Sequence, residues 1–379
     1  MGNDSKKNKN ADVEVGLIIV SVAILVAFII CMVVNAEGTL NTIMNFFNVM
    51  IDALGPFFLL VAFISFLVSL YLGFGKYGKI RLGNCKPEYS NFSYFAMMLL
   101  ASLASAALYW SFVEWASYYQ APGLGMEPQS LEALESSLAY QFFHWGFVNQ
   151  SLYTIAGVAI AYGVYVRKLP SFQTSAVCCA MLGKKVKGKS IIGKVIDFLV
   201  IFGILGALSS SLGLGVPLAT SGLNTLWGIE ATPAVQIGVI VFIALVYTFT
   251  SFLGTKKGMQ TISNIASVVC IFFLLYVLFM GPTTFIFKNI VNSLGYLIQD
   301  LPRMALFTDP IANTGFAESW TIYFVAFYLN YVAMMGIFIA KVSKGRTIRE
   351  IAIYTIFIMS FGGMCIFGID GSFSIYAHT

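Results

Sequence analysis

The chain is 379 residues long, 58% hydrophobic and 10% charged, whereas soluble domains average about 45–50% apolar and about 25% charged residues. That balance excludes an ordinary water-facing surface. With two histidines and no HExxH, GxSxG or phosphate-loop pattern, it also excludes a recognisable metalloenzyme, serine hydrolase or ATP-driven pump within the chain.

In chain order, nine apolar runs have about the length that crosses a ~30 Å hydrocarbon core: 15–34, 49–73, 93–117, 141–166, 194–221, 233–254, 259–280, 320–340 and 348–368. The first follows Lys6, Lys7 and Lys9; it is too long for a signal core and lacks a small-residue cleavage pattern, so it counts as a span. Between the seventh and eighth runs, the stretch 282–304 alternates apolar and polar residues at helical spacing. It is predicted to be an amphipathic surface helix. Two clusters rich in small residues, 101–107 and 206–215 with Pro217 behind it, predict interrupted helices that expose backbone to a solute path.

The net charge of +5 does not mark a nucleic-acid partner, because the basic residues are scattered between apolar runs and not clustered on one face. Of the 22 Lys and Arg, 20 fall on alternate connections, leaving Lys288 and Arg303 on the others. The positive-inside rule then predicts a cytoplasmic N-terminus in a multi-pass cell-membrane protein. The six cysteines form no CxxC pair and read as small buried hydrophobes, not as disulfides or metal ligands. No cofactor or metal site is expected.

Polar and aromatic residues at membrane depth are the exceptional feature. The third run contains Tyr109, Trp110, Glu114 and Trp115; the fourth opens on His144, Trp145, Asn149, Gln150 and Tyr153; the eighth carries Tyr323, Phe324, Phe327, Tyr328, Asn330, Tyr331, Met334 and Met335. Aromatic faces hold a trimethylammonium group, which has no proton to donate, at about 0.5–2 kcal/mol per face. Packing and interfacial belts also consume aromatics. Glu114 reads equally as a structural partner or a coupling group, and His144 as a hydrogen-bonded packing residue.

The stretch from Trp320 to Glu350 resembles the eighth-helix signature of the betaine/carnitine/choline transporters. HWGF at His144 to Phe147, SLGLG at Ser211 to Gly215, the loop Gly254 to Asn264 and the segment Pro302 to Phe316 support the resemblance. In appearance the chain is most similar to the carnitine/γ-butyrobetaine exchangers. The resemblance implies a secondary transporter of quaternary-ammonium compounds (carnitine, betaine or choline) working by alternating access, and not an enzyme. It implies an all-α polytopic membrane protein with the LeuT-like inverted-repeat fold, of whose twelve spans about nine are present. The organisation would be a tail at 1–14, two peripheral helices in 15–92, a first five-helix repeat at 93–281, the surface helix at 282–304 and a C-terminally incomplete second repeat at 305–379.

Carried over by position, the resemblance implies a substrate box of Tyr109, Trp145, Tyr153 and Phe327, with Tyr328 beside it. Where the family has a second tryptophan this chain has Gln150, which joins the expected substrate-binding residues as a hydrogen-bonding group suited to a hydroxyl or a different head, and where the family reads YWAWW this chain reads FVAFY at 324–328. Met335 stands where sodium-independent exchangers also carry methionine, so Met335 and Glu114 are the coupling candidates. Ala266 replaces an arginine of those exchangers. A homotrimer is a further implication. A non-transporting binding protein or sensor, and a sodium-coupled betaine importer, remain the alternatives.

Overall fold

The structure, a computed structural model, describes residues 15–101, 106–183, 190–254, 258 and 260–379. Among these residues the regular structure is helical, apart from one antiparallel bridge between Arg81 and Thr347. Among the described residues eight helices are long and apolar enough to cross a membrane. The remaining expected span, 93–117, appears as α3 (Asn91–Ala101) and α4 (Ala106–Gln120); residues 102–105, in the middle of the 101–107 cluster, lie outside the described residues.

The spans differ in what covers them. Helices α1 (Val15–Val34), α8 (Ile191–Trp227), α9 (Pro233–Gly254) and α10 (Gln260–Met280) bury few residues and present apolar side chains outward. A helix apolar on all sides belongs in lipid or in a core. The helix pair α5 (Leu131–His144) and α6 (Phe147–Tyr165), with the last span from Ile348 to His378, is instead mostly buried, and the short α7 (Thr174–Met181) follows α6. Around that centre lie α2 (Ala36–Phe74) and α12 (Tyr323–Val342). The amphipathic stretch forms α11 (Thr283–Leu306), which sets Ile286, Leu297 and Met304 inward against the bundle.

Helix α8 overturns one expectation. It runs unbroken through residues 206–215 and past Pro217. A Cβ added at Gly206 or Gly213 would meet nothing within 4 Å, so no neighbouring element packs closely on either glycine. In an apolar medium an unbroken helix satisfies the backbone most cheaply, and Pro217 costs only one of its bonds. The interruption falls between α5 and α6, at Trp145 and Gly146. A Cβ on Gly146 would run into the Phe142 carbonyl oxygen, so glycine is needed there. Two carboxamides take up carbonyls freed by the break: Asn149 Nδ2 donates to His144 O at 2.8 Å, and Gln150 Nε2 to Trp145 O at 3.4 Å.

Helices α6 and α12 share the most extensive contact between elements among the described residues. A Cβ on Gly336 would stand 2.8 Å from Ala156 Cβ, and one on Gly157 would stand 2.5 Å from Ile339 Cγ2. Small residues let two backbones approach where lipid provides no hydrophobic drive. Gly336→Val is therefore expected to lower stability in detergent by about 2 kcal/mol or more through overpacking, read as a lower midpoint of thermal unfolding.

At one end of the bundle, two connections are clasped together. Leu82 N donates to Arg346 O at 2.7 Å, Gly345 N to Leu82 O at 2.7 Å, and Ile348 N to Ile80 O at 3.0 Å. The Arg346 guanidinium is 1% exposed and lies over the Tyr94 ring at 3.9 Å. It donates to the carbonyl of Tyr89 at 3.0 Å, to Asn91 Oδ1 at 3.2 Å and to Glu350 Oε1 at 3.1 Å. These are connections that the charge distribution assigns to the same, basic side.

Candidate functional site

Where the break between α5 and α6 faces α4, α8 and the start of α12, the bundle encloses a cavity of about 220 Å³. Its walls include three indoles: Trp110 from α4, Trp145 from the break and Trp320 from the π-helical turn Ala317–Ile322 that leads into α12. From α12 come Tyr323 and Phe324, then Phe327 and Tyr331; Phe324, Phe327 and Tyr331 are spaced at about one turn and share a face, with Tyr323 at its edge. The polar part of the lining is hydroxyl: Ser210 and Ser211 from α8, and Ser319. A larger groove of about 660 Å³ lies between α1 and α8, but its lining is largely aliphatic, with Phe198 its sole ring.

Ring contacts hold the walls in place. Trp145 stacks on Phe367 with centroids 5.0 Å apart and meets Phe324 and Phe327 edge-on at 5.5 and 6.1 Å. Trp110 and Trp320 meet edge-on at 6.5 Å. Tyr331 donates its hydroxyl to Ala207 O at 2.9 Å, which ties the α12 wall to α8. Such contacts each contribute about 0.5–1.5 kcal/mol beyond burial and preorganise the cavity.

Behind Trp145 lies a buried polar chain. Trp145 Nε1 donates to Glu114 Oε2 at 2.8 Å, and the Tyr118 hydroxyl lies 2.5 Å from Glu114 Oε1 and 2.7 Å from His144 Nδ1. His144 Nε2 is 3.2 Å from Thr321 Oγ1, and its ring stacks on Phe324 at 4.6 Å. Glu114 and His144 are both fully buried. The hydrogen-bonded packing role expected of His144 is what the geometry shows.

The residues expected in the box separate into three groups. Trp145 and Phe327 line the cavity. Tyr153, Tyr328 and Gln150 form a layer behind it: Tyr153 stacks on Tyr328 at 5.0 Å, and Gln150 Nε2 donates to the Tyr328 hydroxyl at 3.2 Å. Tyr109 is not brought in. It is 42% exposed, outside the lining, and its neighbour Trp110 takes the wall position, because adjacent helical residues point about 100° apart. Met335 is buried in the core of α12, away from the lining. Sequence reasoning did not single out Trp320 or the serines for the site. The signal for Trp320 was its place at the head of the eighth-run signature; Ser210 and Ser211 lay in the 206–215 cluster assigned to a solute path, but as breakers of a helix and not as lining hydroxyls, and Ser319 gave no signal. Among the described residues no group of three His, Cys, Asp or Glu side chains could hold a metal ion.

Together these features define an all-α polytopic membrane protein with an aromatic cavity at its centre. Residues 16–379 match the family model described as BCCT, betaine/carnitine/choline family transporter. The chain belongs to that family, whose members are transporters and not enzymes. It is 36% identical over 319 residues to a carnitine transporter of Acinetobacter baumannii, covering 84% of this chain and 58% of the relative. It is also 36% identical over 307 residues to the uncharacterized transporter YeaV of Escherichia coli, covering 81% of this chain and 63% of the relative. The chain thus spans about three fifths of the length of these curated relatives.

Proposed function

We propose that the chain carries the headgroup site of a secondary transporter of quaternary-ammonium compounds, of the carnitine, betaine or choline type. The observation that carries this reading is the 220 Å³ cavity with Trp110, Trp145 and Trp320 in its walls and no lysine or arginine in its lining. Cavities for drug-sized ligands run to about 300–1,000 Å³, so this one suits a small solute. A trimethylammonium head fits indole faces, which attract cations best. The hydroxyls of Ser210 and Ser319 suit the polar end of a carnitine or betaine. The carnitine transporter among the relatives supports the same substrate class.

On this reading the protein works by alternating access in the cell membrane with its N-terminus in the cytoplasm, on the inverted-repeat fold of its family. Trp145 and Phe327 contact the head, while Tyr153, Tyr328 and Gln150 support the wall from behind. Sodium-independent exchange is the coupling mode we favour, on the resemblance at Met335. Assembly into homotrimers belongs to the same proposal.

The test is counterflow of radiolabelled carnitine, betaine and choline into proteoliposomes of the whole natural protein, with and without a sodium gradient. Counterflow of one of the three is expected without sodium; none with any of them overturns the reading. Trp110→Ala is expected to weaken uptake at least about tenfold through loss of one desolvated face, and Tyr109→Ala to stay within about twofold. The reverse ranking would return Tyr109 to the box.

A further inference from the structure

Glu114 is fully buried inside the helical bundle, and among the described residues no lysine or arginine pairs with it. An isolated carboxylate there is costly, and chains of acidic and histidine side chains inside membranes mark proton routes. The neighbours of Glu114 make such a chain, and hydrogen-bond inventory decides how protons can sit on it.

Tyr118 has one hydroxyl proton and two acceptors within reach, Glu114 Oε1 and His144 Nδ1. If Glu114 is ionised, Tyr118 donates to it. His144 must then carry its proton on Nδ1, donating to the Tyr118 oxygen, and Nε2 accepts from Thr321. If Glu114 is protonated, every donor reverses: Glu114 donates to Tyr118, Tyr118 to His144 Nδ1, and His144 Nε2–H to Thr321. The two arrangements use the same heavy-atom positions and differ by one proton. That proton arrives on His144 Nε2, on the Thr321 side, as the His144 Nδ1 proton passes to Tyr118 and the Tyr118 proton passes to Glu114. Only O–H and N–H bonds break and form.

The far oxygen of Glu114 is tied to the cavity wall. Its Oε2 accepts from Trp145 Nε1, and the Trp145 ring lines the cavity. A charge-assisted bond of this kind is about twice as strong as a neutral one, so the ionised form holds Trp145 harder. It also adds negative potential behind the indole, where low dielectric magnifies its effect. Other titratable groups face this cluster. Tyr140 of α5 has its ring 5.5 Å from that of Tyr118. Tyr328 of α12 has its ring 6.4 Å from that of Trp145. Asp370 of the last span reaches α4 through Ser111 Oγ, which donates to its Oδ2 at 3.1 Å. His378 lies against Trp115, with ring centroids 5.3 Å apart.

We infer that Glu114, Tyr118 and His144 form a single-proton site whose occupancy opposes that of a cationic headgroup in the adjoining cavity. The antagonism rests on the cavity reading given above; the proton site does not. By linkage, whatever factor a proton takes from cation affinity the cation takes from proton affinity.

Two measurements on the whole protein in nanodiscs test the parts separately. Infrared difference spectra of the ligand-free protein across about pH 5 to pH 10 should show a protonated-carboxyl carbonyl band. Glu114→Gln should abolish it and Tyr118→Phe should shift it. A band that does not titrate, or that survives Glu114→Gln, overturns the proton site. Isothermal titration with choline in two buffers of different ionisation enthalpy should show a fraction of a proton released per choline bound. Affinity should weaken by up to about tenfold per pH unit as Glu114 protonates, and should be weak and pH-independent in Glu114→Gln. Choline binding without proton release overturns the antagonism. Absence of binding by choline, betaine and carnitine at every pH overturns the cavity reading and the antagonism with it, while the infrared result still decides the proton site.

Discussion

Trp145→Ala is expected to weaken binding of a quaternary-ammonium solute by about tenfold to a hundredfold. One loss acts on binding directly, and two more loosen the wall that holds the site. One aromatic wall of the cavity goes, at about 2 kcal/mol for a desolvated face. Glu114 Oε2 loses its donor at 2.8 Å, and a buried acceptor without a partner costs stability in the free and bound protein alike. Phe367 and Phe324 lose the ring they pack against. At 1.4 kcal/mol per decade, the cavity wall alone accounts for more than tenfold. Trp145→Phe retains a ring but not the N–H, and is expected to fall between the parent and the alanine variant. Titration of choline or carnitine into the purified protein reads the effect, and an unchanged dissociation constant in Trp145→Ala would remove this residue from the cage.

Arg346→Ala is expected to be the most damaging single change outside the cavity, at about 3 kcal/mol of stability. The guanidinium is buried, lies over Tyr94, and supplies donors to the Tyr89 carbonyl and Asn91. Its removal leaves those acceptors without their charged donor, at about 1–3 kcal/mol for the buried ones, and takes away a desolvated cation-π contact. Arg346→Lys should recover little, because an ammonium cannot fork to several acceptors at once or lie flat on a ring. In detergent the expected reading is a thermal midpoint lowered by about 5–10 °C. Melting together with the parent would show that the backbone bonds from Leu82 and Gly345 hold the clasp unaided.

What was legible in the sequence follows from which interactions are local. Hydrocarbon imposes length and composition on each span separately, so the apolar runs stood out and eight of the nine reappear as long helices. The amphipathic period of 282–304 is equally local, and α11 forms there. Orientation around a helix axis is not local. Which of Tyr109 and Trp110 faces the cavity depends on where α8 and α12 lie, and one residue of phase decides it. The small-residue run in α8 misled for a related reason: glycine and serine permit a break without requiring one, whereas at Gly146 the Phe142 carbonyl leaves no room for a side chain. Glu114 and His144 were visible as anomalies, but the tyrosine between them, 26 positions from His144, became a partner only in the fold.

The last span carries one further consequence. Its helix contains two π turns, Tyr354–Met359 and Phe367–Gly371. Each holds about one residue more than an α turn and so unwinds the helix by roughly 100°. On a straight α-helix Ile375 would lie roughly 120° round the axis from Ile351; with the two unwindings the difference falls to roughly 40°, and both are buried. A spin-label or thiol-accessibility map of this helix would therefore slip phase twice along its length. Reporter sites chosen on a 3.6-residue wheel beyond Met359 would probe the wrong face.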